Sequence, residues 1–251
     1  MNQRSFRENQ SGQVIVITGL LVSVLLLSTA IFVIDLQKNT PKADACDCSF
    51  FDGYRQTAWN TLVSALANAS GGGSTDVLTQ DLTELKAIIA AHSYQAMVAL
   101  DYTASNMAPY TEGLWINQGS SGVGVSSAAV NFTFSSFGPT QSSSIQYDLN
   151  VSSEIHTSGS YIEQNETKTV SLTVNVFNEG APALAQSFSF SYQNDTEWVQ
   201  ADASVVDHGD GTYTVAFNAD TGLQYEPLPV MVQCVDTRGI IVEASLTCNH
   251  T

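Results

Sequence analysis

The chain has 251 residues, 43% of them hydrophobic and only 13% charged, with 8 Lys+Arg against 24 Asp+Glu and a net charge of -16. Phosphate binding needs clustered Lys and Arg, so this balance argues against nucleic acid as a partner and against a polybasic contact with anionic lipid. The 29 Ser and 23 Thr build a surface from hydroxyls rather than Lys/Glu pairs, a pattern that suits the outside of a cell.

Residues 1–13 carry Arg4, Arg7 and Glu8 and read as a short cytoplasmic segment. Val14 to Ile34 is a run of 21 residues without charge or proline. As a helix it spans about 30 Å, one bilayer core, so residues 14–34 are predicted to form a transmembrane helix in contact with membrane lipid. Ser28-Thr29-Ala30 is a small-residue site of the kind that ends a secretory signal peptide. Ile31-Phe32-Val33-Ile34 continue the apolar run past it, which favours an uncleaved anchor. The acidic, hydroxyl-rich remainder fits the outer side, giving a single-pass protein of the cell membrane with its C-terminal domain extracellular.

Ser11-Gly12-Gln13-Val14, the apolar run and Asp35 resemble the N-terminus of TadE/TadG-like pilus-assembly proteins and of archaeal type IV pilin precursors. The resemblance implies a peptidase cut between Gly12 and Gln13, and other surface or pilus proteins as partners. Ser11 stands where such precursors carry a basic residue, and Ile17 where many carry a Glu.

Residues 35–48 read as a linker in which Pro41 stops the preceding helix. Ser49-Phe50-Phe51-Asp52 has the form of a capping box, and Phe51, Tyr54, Ala58, Leu62 and Leu66 recur at helical spacing. Gly71-Gly72-Gly73 ends that helix, and Ser74 or Thr75 caps a second one with Leu78, Leu82, Leu85, Ile89, Ala96 and Leu100 on one face. Residues 49–113 are therefore predicted to form an antiparallel helical hairpin, a neck between membrane and outer domain. His92 falls on the edge of its stripe.

From about Leu114 the period changes to two. The runs Val130-Phe132-Phe134, Ile145 to Val151, Val170 to Val176, Phe188 to Tyr192, around Val205, Tyr213 to Phe217, Val230 to Cys234 and Ile240 to Leu246 each alternate. Asp207 to Gly211 and Asp236 to Gly239 read as hairpin turns, and the turn accounts for Asp207 and Asp210 better than calcium does. Residues 114–251 are thus predicted to be an antiparallel β-sandwich. The stretch Asp207 to Tyr213 with the last hairpin resembles the final strands of immunoglobulin-like repeats in surface and filamin-type proteins. The fold class expected is α+β: transmembrane helix, helical hairpin neck and immunoglobulin-like sandwich.

Cys46, Cys48, Cys234 and Cys248 are candidate disulfide partners with three connectivities. If the last hairpin turns at Thr237-Arg238, Cys234 lies opposite Ile241, and Cys248 lies over 20 Å further along at about 3.3 Å per residue. A Cys234–Cys248 bond then requires that strand to fold back, and its rival ties both to Cys46 and Cys48. Asn68, Asn131, Asn150, Asn165, Asn194 and Asn249 begin sequons and are candidate glycosylation sites. No catalytic motif, cofactor fingerprint or metal-ligand spacing stands out, so no enzyme, cofactor or metal is expected. The expected function is structural or adhesive display at the surface. The alternatives are a pilin-like filament subunit cleaved after Gly12 and a ligand-binding ectodomain.

Overall fold

The computed structural model describes residues 49–92, 97–137, 142–164, 167–221 and 226–251. The chain divides into residues 1–47 and residues 48–251, and all described residues belong to the second unit. Gly12, Gln13, residues 14–34, Cys46, Cys48 and Asn165 lie outside the described residues.

α1 (Ser49–Ser70) and α2 (Val77–His92) form where the helical stripes occur. Ala58, Leu62, Ala65, Leu66, Leu78, Leu82, Leu85 and Ile89 are all buried. α1 stops at the glycines: Gly72 takes a φ of 91°, and Gly73 N donates to the Asn68 carbonyl. The Ser74 hydroxyl accepts from Asp76 N and opens the turn into α2.

The strands follow in order: β1 (Met97–Ala104), β2 (Leu114–Asn117), β3 (Val123–Phe137), β4 (Ser142–Gln164), β5 (Thr167–Asn178), β6 (Ala181–Pro182), β7 (Ala185–Asn194), β8 (Glu197–Gln200), β9 (Ser204–Asp207), β10 (Thr212–Asp220), β11 (Leu228–Asp236) and β12 (Ile241–His250). They join one sheet with the path β8-β7-β11-β12-β4-β5-β10-β9, to which β3 adds at β4 and carries β1 and β2.

β4 is the pivot. Its first part pairs with β3 up to His156, and its second part pairs with β5. Beyond His156 the edge left open by β3 is taken by β12, running parallel, at Ser160 and Tyr161. Gly122 makes this crossing possible. Its φ is 83°, its carbonyl accepts Thr157 N, its N–H donates to the Ser245 carbonyl, and a Cβ there would lie 2.2 Å from the Thr157 oxygen. The sheet then folds over itself: Phe188 on β7 meets Tyr213 on β10 at 4.7 Å, although β11, β12, β4 and β5 separate them along the path.

The α+β expectation is corrected on three points. The described residues are mainly β, with two helices against twelve strands. The sheet is mixed rather than antiparallel throughout, because β12 runs parallel to β4. There is no separate helical neck: the helices lie on β1, β3 and β4 and share one buried cluster with them. Residues 97–104, placed in the second helix by the sequence, form β1: Val98, Leu100 and Tyr102 recur with a period of two, and Leu100 and Tyr102 pair with Phe134 and Phe132 of β3. Among the described residues no helix is long and apolar enough to cross a membrane.

Candidate functional site

β1, β3 and β4 bury one face under the helices and turn the other outward, as antiparallel ladders do. Val130, Phe132 and Phe134 point inward, so Asn131, Thr133 and Ser135 point out. Across the ladder, Asn131 Nδ2 donates to Asp148 Oδ1 at 2.6 Å, Gln146 Nε2 to Thr133 Oγ1 at 3.4 Å, and Ser135 Oγ to Ser144 Oγ at 3.2 Å. The outer face is a row of hydroxyls and amides joined strand to strand.

At the end of β1 the chain leaves this face in the turn 105–113. Ser105 N donates to the Ala129 carbonyl and Ala129 N to the Gly113 carbonyl, which pins the turn to β3. Beside it opens a groove of about 560 Å³ lined by Thr103, Asn106, Met107, Asn131, Asp148 and Asn150. Met107 is 80% exposed at its edge. Ser127 Oγ donates to Asn150 Oδ1 at 3.0 Å and also lies 3.0 Å from the Tyr110 hydroxyl, whose ring meets Trp115 edge-on. The groove combines amides, one carboxylate and an exposed thioether, a set that can hold a neutral polar ligand or a polar protein surface.

Of the candidate sequons, Asn131 and Asn150 come together here. Asn68 lies exposed in the last turn of α1, Asn194 ends β7 at the turn into β8, and Asn249 is exposed near the end of β12. Asp207 Oδ1 accepts from Gly209 N and Asp210 Oδ1 from Thr212 N, the turn role expected of them. The bond from Thr212 holds the Asp210 carboxyl below its ordinary range. The histidines are dispersed: His156 pairs with Glu154 at 2.5 Å, His208 with Thr214 at 2.8 Å, and His250 meets the Tyr161 ring. Among the described residues no group of three His, Cys, Asp or Glu is placed to hold a metal ion.

Cys234 and Cys248 are free and buried. Cys234 lies opposite Val242 rather than Ile241, because Gly239 at a φ of 83° adds a residue to the turn. Cys248 pairs with Leu228, six residues beyond Val242, about 20 Å away, so these two do not bond. Burial pushes the Cys234 thiol up to about 12, with the Asp236 charge adding to it, and burial pushes Cys248 up to about 11. An unfolded thiol titrates near 8.5, so the stabilising preference for the protonated form is complete below about 8.5 and is lost as pH rises toward the folded values. At neutral pH iodoacetamide should leave Cys234 and Cys248 unlabelled in the folded chain and label both in urea. Labelling of the folded chain at the urea rate would show that the two thiols are accessible.

No protein-family model matches the chain, and no curated protein or solved structure matches it either.

Proposed function

We propose that the chain is a cell-surface protein, held in the membrane by its apolar residues 14–34, whose β unit is displayed outside in a structural or adhesive role. The observation that carries this reading is the outward face of β1, β3 and β4, with its groove beside Asn131, Asp148 and Asn150. A face of hydroxyls and amides meets other polar surfaces through many directional hydrogen bonds. The net charge of -16 keeps copies apart and soluble at the surface. Other surface or pilus proteins are the partner class that fits such display.

Protease added to intact cells should remove the β unit, and protection until lysis would place it inside. Asp148→Lys breaks the Asn131 bond and reverses the charge in the groove. Attachment of cells carrying it should fall toward that of cells lacking the chain, with the melting temperature unchanged. Attachment at the native level in both strains would remove the adhesive role and leave the structural one.

A further inference from the structure

Lys168 is the second residue of β5, in phase with the inward residues Val170, Leu172 and Val174, and is 2% exposed. Its Nζ donates to the Glu226 carbonyl at 2.8 Å and sits 4.7 Å from the centre of the Tyr161 ring. Among the described residues no carboxylate lies within ion-pair distance of it. An ammonium carries three N–H donors, and a carbonyl and a ring face occupy two. A buried charge left in this state is costly. Nearby, Thr221 is 6% exposed and its Oγ1 has no hydrogen-bond partner. Lys168 and Thr221 both line a cavity of about 200 Å³, together with Gln193, Asp195, Glu226 and Leu228. Asp195 and Glu226 are exposed, so the cation lies deep and the carboxylate-bearing residues lie at the rim.

We infer that this cavity binds a small zwitterion of the amino-acid pattern, its carboxylate received by Lys168 and Thr221 and its ammonium by Asp195 and Glu226. A carboxylate supplies the acceptor that the lysine lacks and the partner that the threonine lacks. The ammonium answers the two rim carboxylates, which would repel a bare anion, as would the acidic chain as a whole. The cavity is smaller than the several hundred Å³ of cofactor sites, which limits the ligand to a few heavy atoms. The site lies apart from the outer groove and does not depend on where the chain is displayed.

The test is calorimetric titration of the full-length chain with glycine, acetate and ethylammonium at matched ionic strength. Glycine should bind saturably, and acetate and ethylammonium about tenfold more weakly or worse, since each lacks one charge-assisted contact. Lys168→Met and Thr221→Val should each abolish glycine binding, with thermal melts confirming that they fold. Thr221→Val is close to isosteric and carries the test should Lys168→Met fail to fold. Acetate binding as tightly as glycine, glycine binding that survives in Thr221→Val, or no saturable glycine binding in the native chain would each overturn the inference.

Discussion

Phe134→Ala should destabilise the helices and the sheet together, by about 3–5 kcal/mol. Phe134 is fully buried on β3. Its ring lies 6.3 Å from Phe51 and 6.1 Å from Tyr54 on α1, 6.2 Å from Phe132 on β3, and 5.9 Å from Tyr147 on β4. Truncation removes the side chain on which helix and sheet meet, and the rings around it belong to separate elements that cannot all close on the void. At roughly 2–4 °C per kcal/mol for a unit of this size, the melting temperature should fall by roughly 6–20 °C. The helix signal in circular dichroism and the fluorescence of Trp59, Trp115 and Trp198 should decay together in the native chain and in the variant. A helix transition separate from the fluorescence transition would restore an independent neck. The Lys86–Asp101 ion pair at 2.6 Å and the contact of the Thr83 hydroxyl with Tyr102 at 2.9 Å also join α2 to β1, but both are exposed and add little beside the ring cluster.

The sequence disclosed elements better than their arrangement, for physical reasons visible at particular residues. The stripe from Ala58 to Leu66 has a helical period and the run from Val170 to Val176 a period of two, and each buries as its period requires. A stripe says that a face is buried but not against what, so the docking of α1 on Phe134 had no signal of its own. Leu100 extends the stripe of α2 and equally alternates with Val98 and Tyr102; pairing with Phe134 across β3 decides for the strand. The second half of β4 was hidden because the small polar Ser153 and Thr157 alternate with Val151, Ile155 and Tyr161 at its buried positions and break up the apolar pattern. The parallel contact of β12 with β4 depends on the distant Gly122 turn, which no local pattern encodes. At the candidate groove, Asn131 and Asn150 were visible only as sequons, and the register of β3 on β4 makes them neighbours. Lys168 did carry a signal: a lysine in phase with the inward valines of β5 is a buried cation by parity alone.

Asp236→Ala should cost about 3–5 kcal/mol, because it strips a fully buried carboxylate from an arginine that stays behind. Asp236 Oδ1 accepts Arg238 N at 2.8 Å and Ile240 N at 2.9 Å, and Oδ2 accepts Arg238 Nε at 2.8 Å. The guanidinium then reaches out of the turn, donating from Nη1 to Glu179 Oε1 at 2.6 Å and from Nη2 to the Ser152 carbonyl at 2.8 Å. One carboxylate thus shapes the β11–β12 turn and aims the arginine that ties it to β4 and to the turn after β5. Without it, the N–H groups of Arg238 and Ile240 lose their acceptor and the arginine loses its buried counter-charge. Asp236→Asn keeps one acceptor oxygen and should cost less. Glu179→Ala removes the more exposed bridge, 36% accessible at the glutamate, together with the Oε1 that accepts Ser152 N at 2.9 Å, and should cost about 1–2 kcal/mol. Urea unfolding of the three variants should rank them Asp236→Ala, Asp236→Asn, Glu179→Ala in falling order of loss. Equal losses in Asp236→Ala and Glu179→Ala would mean that the outer bridge, and not the buried carboxylate, holds the turn against β4.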